Sequence, residues 1–405
     1  MLKHRYSTAY AVTLSLLICS PTWAQTADPA TIEIKADETP AAPPEQTADK
    51  PTVVEKVRGY VEKSPLAQRG SSDGFYPRLG GLSTGSGLAG GGGYRRHFGS
   101  LYAELSGAVS TKVYLGVDAK VRWLQTSEEG FEIWTDFKYR DNTQDDFYAL
   151  GLDSTTDSRV DYGLRSNDIV VRSLGHVGPW FRVGTDVGYY TPDLRHGRNG
   201  QLPSIEQVYT DATAPGLDRQ ANFLHSSVFT EIDSRDVRGF PHRGGLYRVT
   251  YAFWNDRSFE EYDFRRFDIQ GSQFVGLTSK DVVAVQLTLS YANNARGDRI
   301  PFFMLPYAGG GHSMRAFHEF RFRDENAGVF NAEFRHRVHK WAHVAGFVDM
   351  GKVAHDWQDI NLKNLKTGYG FGVRAGNDNR SFGRLDVGFG GGEGVRVFLK
   401  FSPSF

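Results

Sequence analysis

One cysteine, Cys19, occurs in a chain of 405 residues. That excludes a disulfide framework and a thiolate metal site, both of which need several thiols. Charge of one sign is lacking too, because 47 Lys and Arg balance 47 Asp and Glu. A nucleic-acid binder carries a basic surplus or stripe, so no nucleic-acid partner is expected. Also missing, beyond the N-terminus, is any apolar run of the roughly 20 residues that a membrane-spanning helix needs. Mean hydropathy is −0.43. What is abundant instead is glycine (46), phenylalanine (28) and tyrosine (19). In lipid every backbone polar group must be paired within the protein, so a spanning chain without apolar helices must close a sheet on itself.

The chain ends in VRVFLKFSPSF. Val395, Val397, Leu399, Phe401, Pro403 and Phe405 form one apolar row, with Arg396, Lys400, Ser402 and Ser404 on the other. In an outer-membrane barrel one face of each strand meets lipid and the other a polar lumen, which imposes a period of two. Soluble sandwiches end this way as well; the rest of the chain favours the barrel. Leu399, Phe401 and Phe405 are then the C-terminal signal that the barrel assembly machinery engages during biogenesis.

At the other end, Lys3, His4 and Arg5 precede an apolar run from Ala11 to Cys19 and then Pro21-Thr22-Trp23-Ala24. Residues 1–24 are expected to be a secretory signal cleaved after Ala24. Leu16, Leu17 and Ile18 offer no small residue ahead of Cys19, as a lipoprotein site would want. Residues 25–74 are rich in Ala, Thr, Pro, Asp and Glu and predict a disordered periplasmic linker. Val53, Val54, Val57, Tyr60 and Val61 share a helical face, which predicts either a short amphipathic helix over 53–63 or a transiently helical tail.

Residues 75–405 divide into sixteen alternating segments, with fourteen the competing count. The first is placed at 86–97, the fifth at 145–153, the seventh at 179–190, the eleventh at 281–292 and the last at 394–404. In the eleventh, Val283, Val285, Leu287, Leu289 and Tyr291 make the outward row. Outward travel of the first strand puts the long connections 191–220 and 293–326 outside the cell. Residues 80–93 hold eight glycines. Glycine weakens a strand, so a glycine-rich first strand predicts a loosely zipped seam with the last one, or else a close backbone approach or a flexible lead-in.

Two segments carry chemistry. Over 343–354, Phe347, Asp349 and Gly351 share one face and Val344, Val348 and Met350 the other. Lipid takes the apolar row, so Asp349 points inward, as do Asn331, Glu333, Arg335 and Arg337 on the neighbouring strand. Arg315 placed between Glu333 and Asp349 would make charge-assisted bonds that pin the 293–326 loop inside the barrel. The alternative leaves Arg315 in solvent and Asp349 lining a water-filled channel. In the second segment, Asp233, Arg235, Asp236, Phe240, Pro241 and Gly244 predict a tight periplasmic turn. There proline fixes φ, glycine permits positive φ, and the carboxylates cap turn amides.

These segments resemble the BamA/TamA-like bacterial surface antigen family of outer-membrane insertases and translocators. In that family a long loop between the eleventh and twelfth strands carries a Gly-rich stretch and an Arg-Gly-Phe tip. The tip folds into the lumen against a Phe-x-Asp-x-Gly motif on the thirteenth strand. Arg315 and Phe317 match the tip, Phe347, Asp349 and Gly351 the strand motif, and Glu333 an acidic position on the twelfth strand. The segment from Asp233 to Gly244 matches the family's turn between the eighth and ninth strands. The resemblance implies an all-β transmembrane barrel without catalytic residues or cofactor. It further implies a monomer that contacts outer-membrane lipids and inserts or translocates protein or lipid there.

Two departures qualify it. Ala316 stands where the family has glycine, which costs on the order of 1 kcal/mol if the tip requires positive φ. The family's POTRA modules of roughly 75 residues do not fit the linker, which implies a variant without them and a separate periplasmic docking protein. A passive or selective pore is the competing function, and a surface interaction protein using 191–220 a third. The GGGG at 90–93 lacks the lysine and serine of a phosphate loop. His336, His339 and His343 straddle a strand, a turn and a strand, where no convergent metal site is expected. No nucleophile elbow is visible, so no hydrolase is expected.

Overall fold

The computed structural model describes residues 73–126, 130–294, 297–377 and 380–401. The expected signal, nearly all of the linker, the 53–63 helix, Pro403 and Phe405 lie outside the described residues.

Sixteen strands build one antiparallel sheet in sequence order. They are β1 (Gly74–Gly80), β2 (Ala89–Phe98), β3 (Leu101–Ser110), β4 (Leu115–Gln125), β5 (Phe131–Phe147), β6 (Val160–Val177), β7 (Phe181–His196) and β8 (Phe223–Asp233). There follow β9 (Gly244–Asp256), β10 (Phe264–Gly276), β11 (Asp281–Asn294), β12 (Asn326–His339), β13 (Ala342–Ala354), β14 (Lys366–Asn377), β15 (Arg380–Phe389) and β16 (Arg396–Lys400). The sheet is a near-closed barrel with one unsealed seam: among the described residues no ladder joins β1 to β16.

Alternation places side chains as lipid requires and inverts a soluble protein. Phe330, Phe334, Val344, Val348, Tyr369 and Phe371 are exposed, whereas Glu333, Arg335, Asp349, Arg374 and Asp386 are buried. Charged groups inside and aromatics outside fit a barrel in a bilayer. In β11 the expected outward row is likewise the more open one, with Val282, Ala284 and Gln286 buried between its members.

The strand count agrees with the sequence expectation through two compensating differences. Segment 145–153 is not a separate strand: β5 runs on to Phe147, and the chain then turns through Ala149 at φ 71°. Conversely, 86–97 is the second strand, because β1 lies ahead of it in GFYPRLG. The long outer connection starts at 197, since β7 reaches His196.

The glycine run serves close approach and not a weak first strand. Gly80 closes β1, and Gly90–Gly93 lie in β2, fully paired with both neighbours. A Cβ on Gly93 would overlap the Tyr76 ring, and one on Gly91 the Gly107 carbonyl. Tyr76 of β1 thereby lies across β2 to donate a hydrogen bond to Glu104 of β3. Arg78 likewise reaches Ser106 at 2.9 Å and Asp118 at 2.5 Å.

Candidate functional site

The buried charges concentrate where residues 297–325 pack against the inner rows of β12 to β15. This segment folds on itself through a two-residue ladder, Tyr307–Ala308 with Phe322–Arg323. Between them Met314, Arg315 and Ala316 form a buried tip.

Arg315 sits between the two carboxylates that the sequence assigns to it. Its backbone N–H donates to Asp349 Oδ2 at 2.8 Å, and its Nε and Nη2 grip Asp349 Oδ2 and Oδ1 at 2.9 and 2.7 Å. Its Nη1 donates to Glu333 Oε2 at 2.5 Å. The guanidinium carbon also lies 3.6 Å from the Phe347 ring centroid. Bidentate contact plus ring stacking uses the planar guanidinium in a way that lysine would not.

Three further arginines, Arg335, Arg374 and Arg384, and a third carboxylate, Asp386, complete the cluster. Glu333 accepts from Arg335 Nε at 2.8 Å and from Arg374 Nη2 at 2.6 Å. Asp386 pairs with Arg374 at 2.6 Å and Arg384 at 2.8 Å, and Arg384 donates to the Gly311 carbonyl at 2.6 Å. Asn331 ties the Ser313 carbonyl to Asp349. Arg374, Arg384 and Asp386 were not singled out from sequence. The available signal was a charged residue at the inward register of each late strand.

Glycines on β13, β14 and β15 form the floor under the tip. A Cβ on Gly388 would overlap the Arg315 carbonyl, and one on Gly368 the Ala316 methyl. On Gly370 it would lie 2.5 Å from Phe347 Cζ, and on Gly351 2.9 Å from Met314 Sδ. Ala316 is absent from the residues with positive φ, so the tip does not need that conformation. The feared cost of alanine does not arise; its methyl occupies the space that Gly368 vacates.

The other sequence-selected residues are dispersed. Phe317 leaves Arg315 and packs on Phe322 at 5.3 Å, in an apolar cluster with Ala308, Met314 and Val353. At the β8–β9 turn, Asp233 binds Arg235 at 2.8 Å and also Arg182, while Asp236 accepts from the amides of Val237, His242 and Arg243. Gly244 has φ 86°. Pro241 and Phe240 are buried; Phe240 meets His343 at 4.7 Å and lies 5.5 Å under the Arg335 guanidinium, which links the turn to the cluster. Arg337, paired with His343 in the ladder, donates to the Ser279 carbonyl at the β10–β11 turn. His336 binds Asp281 and His339 stacks on Trp341, so the three histidines turn to different partners. Leu399 and Phe401 are exposed on the lipid row.

Outside the cluster the loops form a cap. Phe302 packs on Phe147 and Tyr162, with Ile205 and Ala214 of the 197–222 connection. Arg323 donates to the Phe302 carbonyl at 2.9 Å. Ile205 and Ala214 of the long connection are thus buried against the ends of β5 and β6 and against Phe302.

The Omp85 superfamily domain matches residues 125–390. Among solved structures, BamA from Haemophilus ducreyi lacking POTRA domains 1–3 superposes with a TM-score of 0.58 at 16% identity, over 81% of this chain and 67% of that one. CdiB from Escherichia coli superposes with a TM-score of 0.51 at 13% identity, over 78% of this chain and 58% of that one. At such identities the likeness is one of fold. No curated protein sequence matches the chain.

Proposed function

The chain belongs to the Omp85 superfamily of outer-membrane barrels, a family of insertases and translocators, and from that premise we propose that it inserts or translocates protein or lipid at the outer membrane. The observation that carries this is the pairing of a clamped loop with an open edge. Arg315 fixes residues 297–325 against the inner face through two buried carboxylates, while β1 and β16 share no ladder among the described residues. Material then passes sideways at the β1/β16 seam and not straight through the lumen. A docked tip keeps the interior filled during that exchange. The chain spans 67% of the BamA structure and 58% of the CdiB structure, and a separate periplasmic protein delivers the client.

Reconstitution into lipid vesicles with an unfolded outer-membrane protein, or with labelled lipid on one leaflet, tests the proposal. Wild-type chain should accelerate barrel insertion or lipid transfer, and Asp349→Arg should abolish it. Large, steady conductance in planar bilayers, with neither activity, would establish a passive pore instead.

A further inference from the structure

The open seam is bridged, and the bridge is the same loop that carries Arg315. Residues 307–320 touch both sides of the gap. On the β1 side, Tyr307 hydroxyl lies 3.1 Å from Thr84 Oγ1 in the β1–β2 connection. Gly85 of that connection, at φ +78°, faces Phe320 and Glu319, whose atoms lie 3.7 and 3.8 Å from the position of an added Cβ. On the β16 side, Lys400 Nζ donates to Glu319 Oε1 at 3.2 Å. Gly311 lies against the same strand: a Cβ there would be 2.7 Å from Lys400 Cε and 2.8 Å from Phe398 Cδ1.

Glu319 therefore lies between the β1–β2 connection and β16. The sequence around it is shaped to hold it there. Its carboxylate is seated on the Gly309–Gly311 run: Oε1 accepts from the Gly311 amide at 3.3 Å, and any side chain at Gly310 would overlap it. Phe320 has φ 57°, a conformation that costs an aromatic residue energy and persists only where the surroundings enforce it. That left-handed residue turns the chain so that Glu319 meets Lys400, Phe320 packs on Tyr307, and Arg321 pairs with Glu393 in the β15–β16 connection. Glycine-rich loop, strained aromatic and paired carboxylate are thus one device.

We infer that residues 307–320 are a clasp across the β1/β16 seam, with the Glu319–Lys400 ion pair as its releasable catch. When the catch is made, β16 is tethered to the β1–β2 connection through the loop and the seam is held to a narrow width. When it parts, the end of β16 around Lys400 comes free of the loop, while Arg384 and Arg321 keep the loop on β15 and its connection, and the seam widens at that end. The clasp goes beyond the proposed function, which needs only that the seam open, and assigns what controls the opening.

The test uses the full chain in outer membranes, with the seam read by disulfide trapping between Leu79→Cys and Leu399→Cys and by single-channel recording. Lys400→Ala and Glu319→Gln should each slow trapping by about fivefold, the scale of one partly buried ion pair, and raise the frequency of brief openings. In a separate chain, Gly311→Cys with Phe398→Cys should form a disulfide that suppresses those openings until reductant is added. Heat-modifiable migration of each variant establishes that it has folded. Unchanged trapping and openings in both single variants, or openings that persist in the oxidised double variant, would overturn the clasp. A chain whose seam obeys the clasp yet inserts no client and moves no lipid would sink the proposed function and leave the clasp standing.

Discussion

Arg315 makes its contacts in a space from which water is excluded, and this sets the cost of removing it. Cutting one partner from a buried, hydrogen-bonded ion pair leaves an uncompensated charge and costs about 3–5 kcal/mol. Arg315→Ala should fall in that range, because Asp349 would keep only Asn331 of the partners described above. Arg315→Lys should recover little of it, since an ammonium cannot span both Asp349 oxygens and Glu333. The midpoint of the heat-induced mobility shift measures both. Asp349 and Glu333 were legible in the sequence because an inward carboxylate beside an apolar outward row has few uses. The floor was not legible: Gly368 and Gly388 look like weak strand residues until the Ala316 methyl and the Arg315 carbonyl are seen above them. Gly368→Ala should therefore cost about 1–3 kcal/mol by overpacking, and Ala316→Gly in the same chain should restore most of it, measured by the same shift.

At the scale of the element, the loop carries its own sensitivity to acid. Partial desolvation of His312, whose ring still meets solvent, and then Lys400 and Arg384 lower it to about 4, while burial and then Arg396, Arg159, Arg321 and Lys112 lower the half-buried His318 to about 3. Released from the barrel, both would titrate near 6.5. Below that value the free loop binds more protons than the docked one, so docking is at full strength above pH 6.5 and weakens as pH falls toward 4. Protease or maleimide access to residues 307–320 should rise from pH 7.5 to pH 5, and His312→Phe with His318→Phe should flatten the rise. Strands were less evenly legible than this loop. β1 is hard to read from sequence because Pro77 and the glycines at its two ends resemble a turn; an edge strand tolerates them, since an edge leaves donors unpaired in any case. Segment 145–153 reads as a separate strand because the polar run 141–144 looks like a turn, whereas β5 passes through it with a register shift between Asn142 and Asp145.

For the molecule as a whole, the outer cap and the inner cluster are joined through Arg323 and Phe302. Phe302→Ala removes a ring packed on Phe147 and Tyr162 and should cost about 3–5 kcal/mol of loop packing. A membrane-impermeant maleimide added from outside should then reach a cysteine at Ser290, a residue lining the 560 Å³ cavity beneath the loop, while wild-type packing excludes it. The topology was readable from pattern because lipid enforces alternation on every strand, whereas the cap is built from loops, which obey no period.

The glycine floor also fixes a chronology. The charged and stacking partners of Arg315 described above all lie after it in the chain, Glu333, Phe347, Asp349 and Asp386, as do Gly368 and Gly388 beneath the tip. A nascent barrel that stops short of β15 offers the tip neither its seat nor its full set of counter-charges. The tip can therefore take its complete seat only once β14 and β15 stand in the wall.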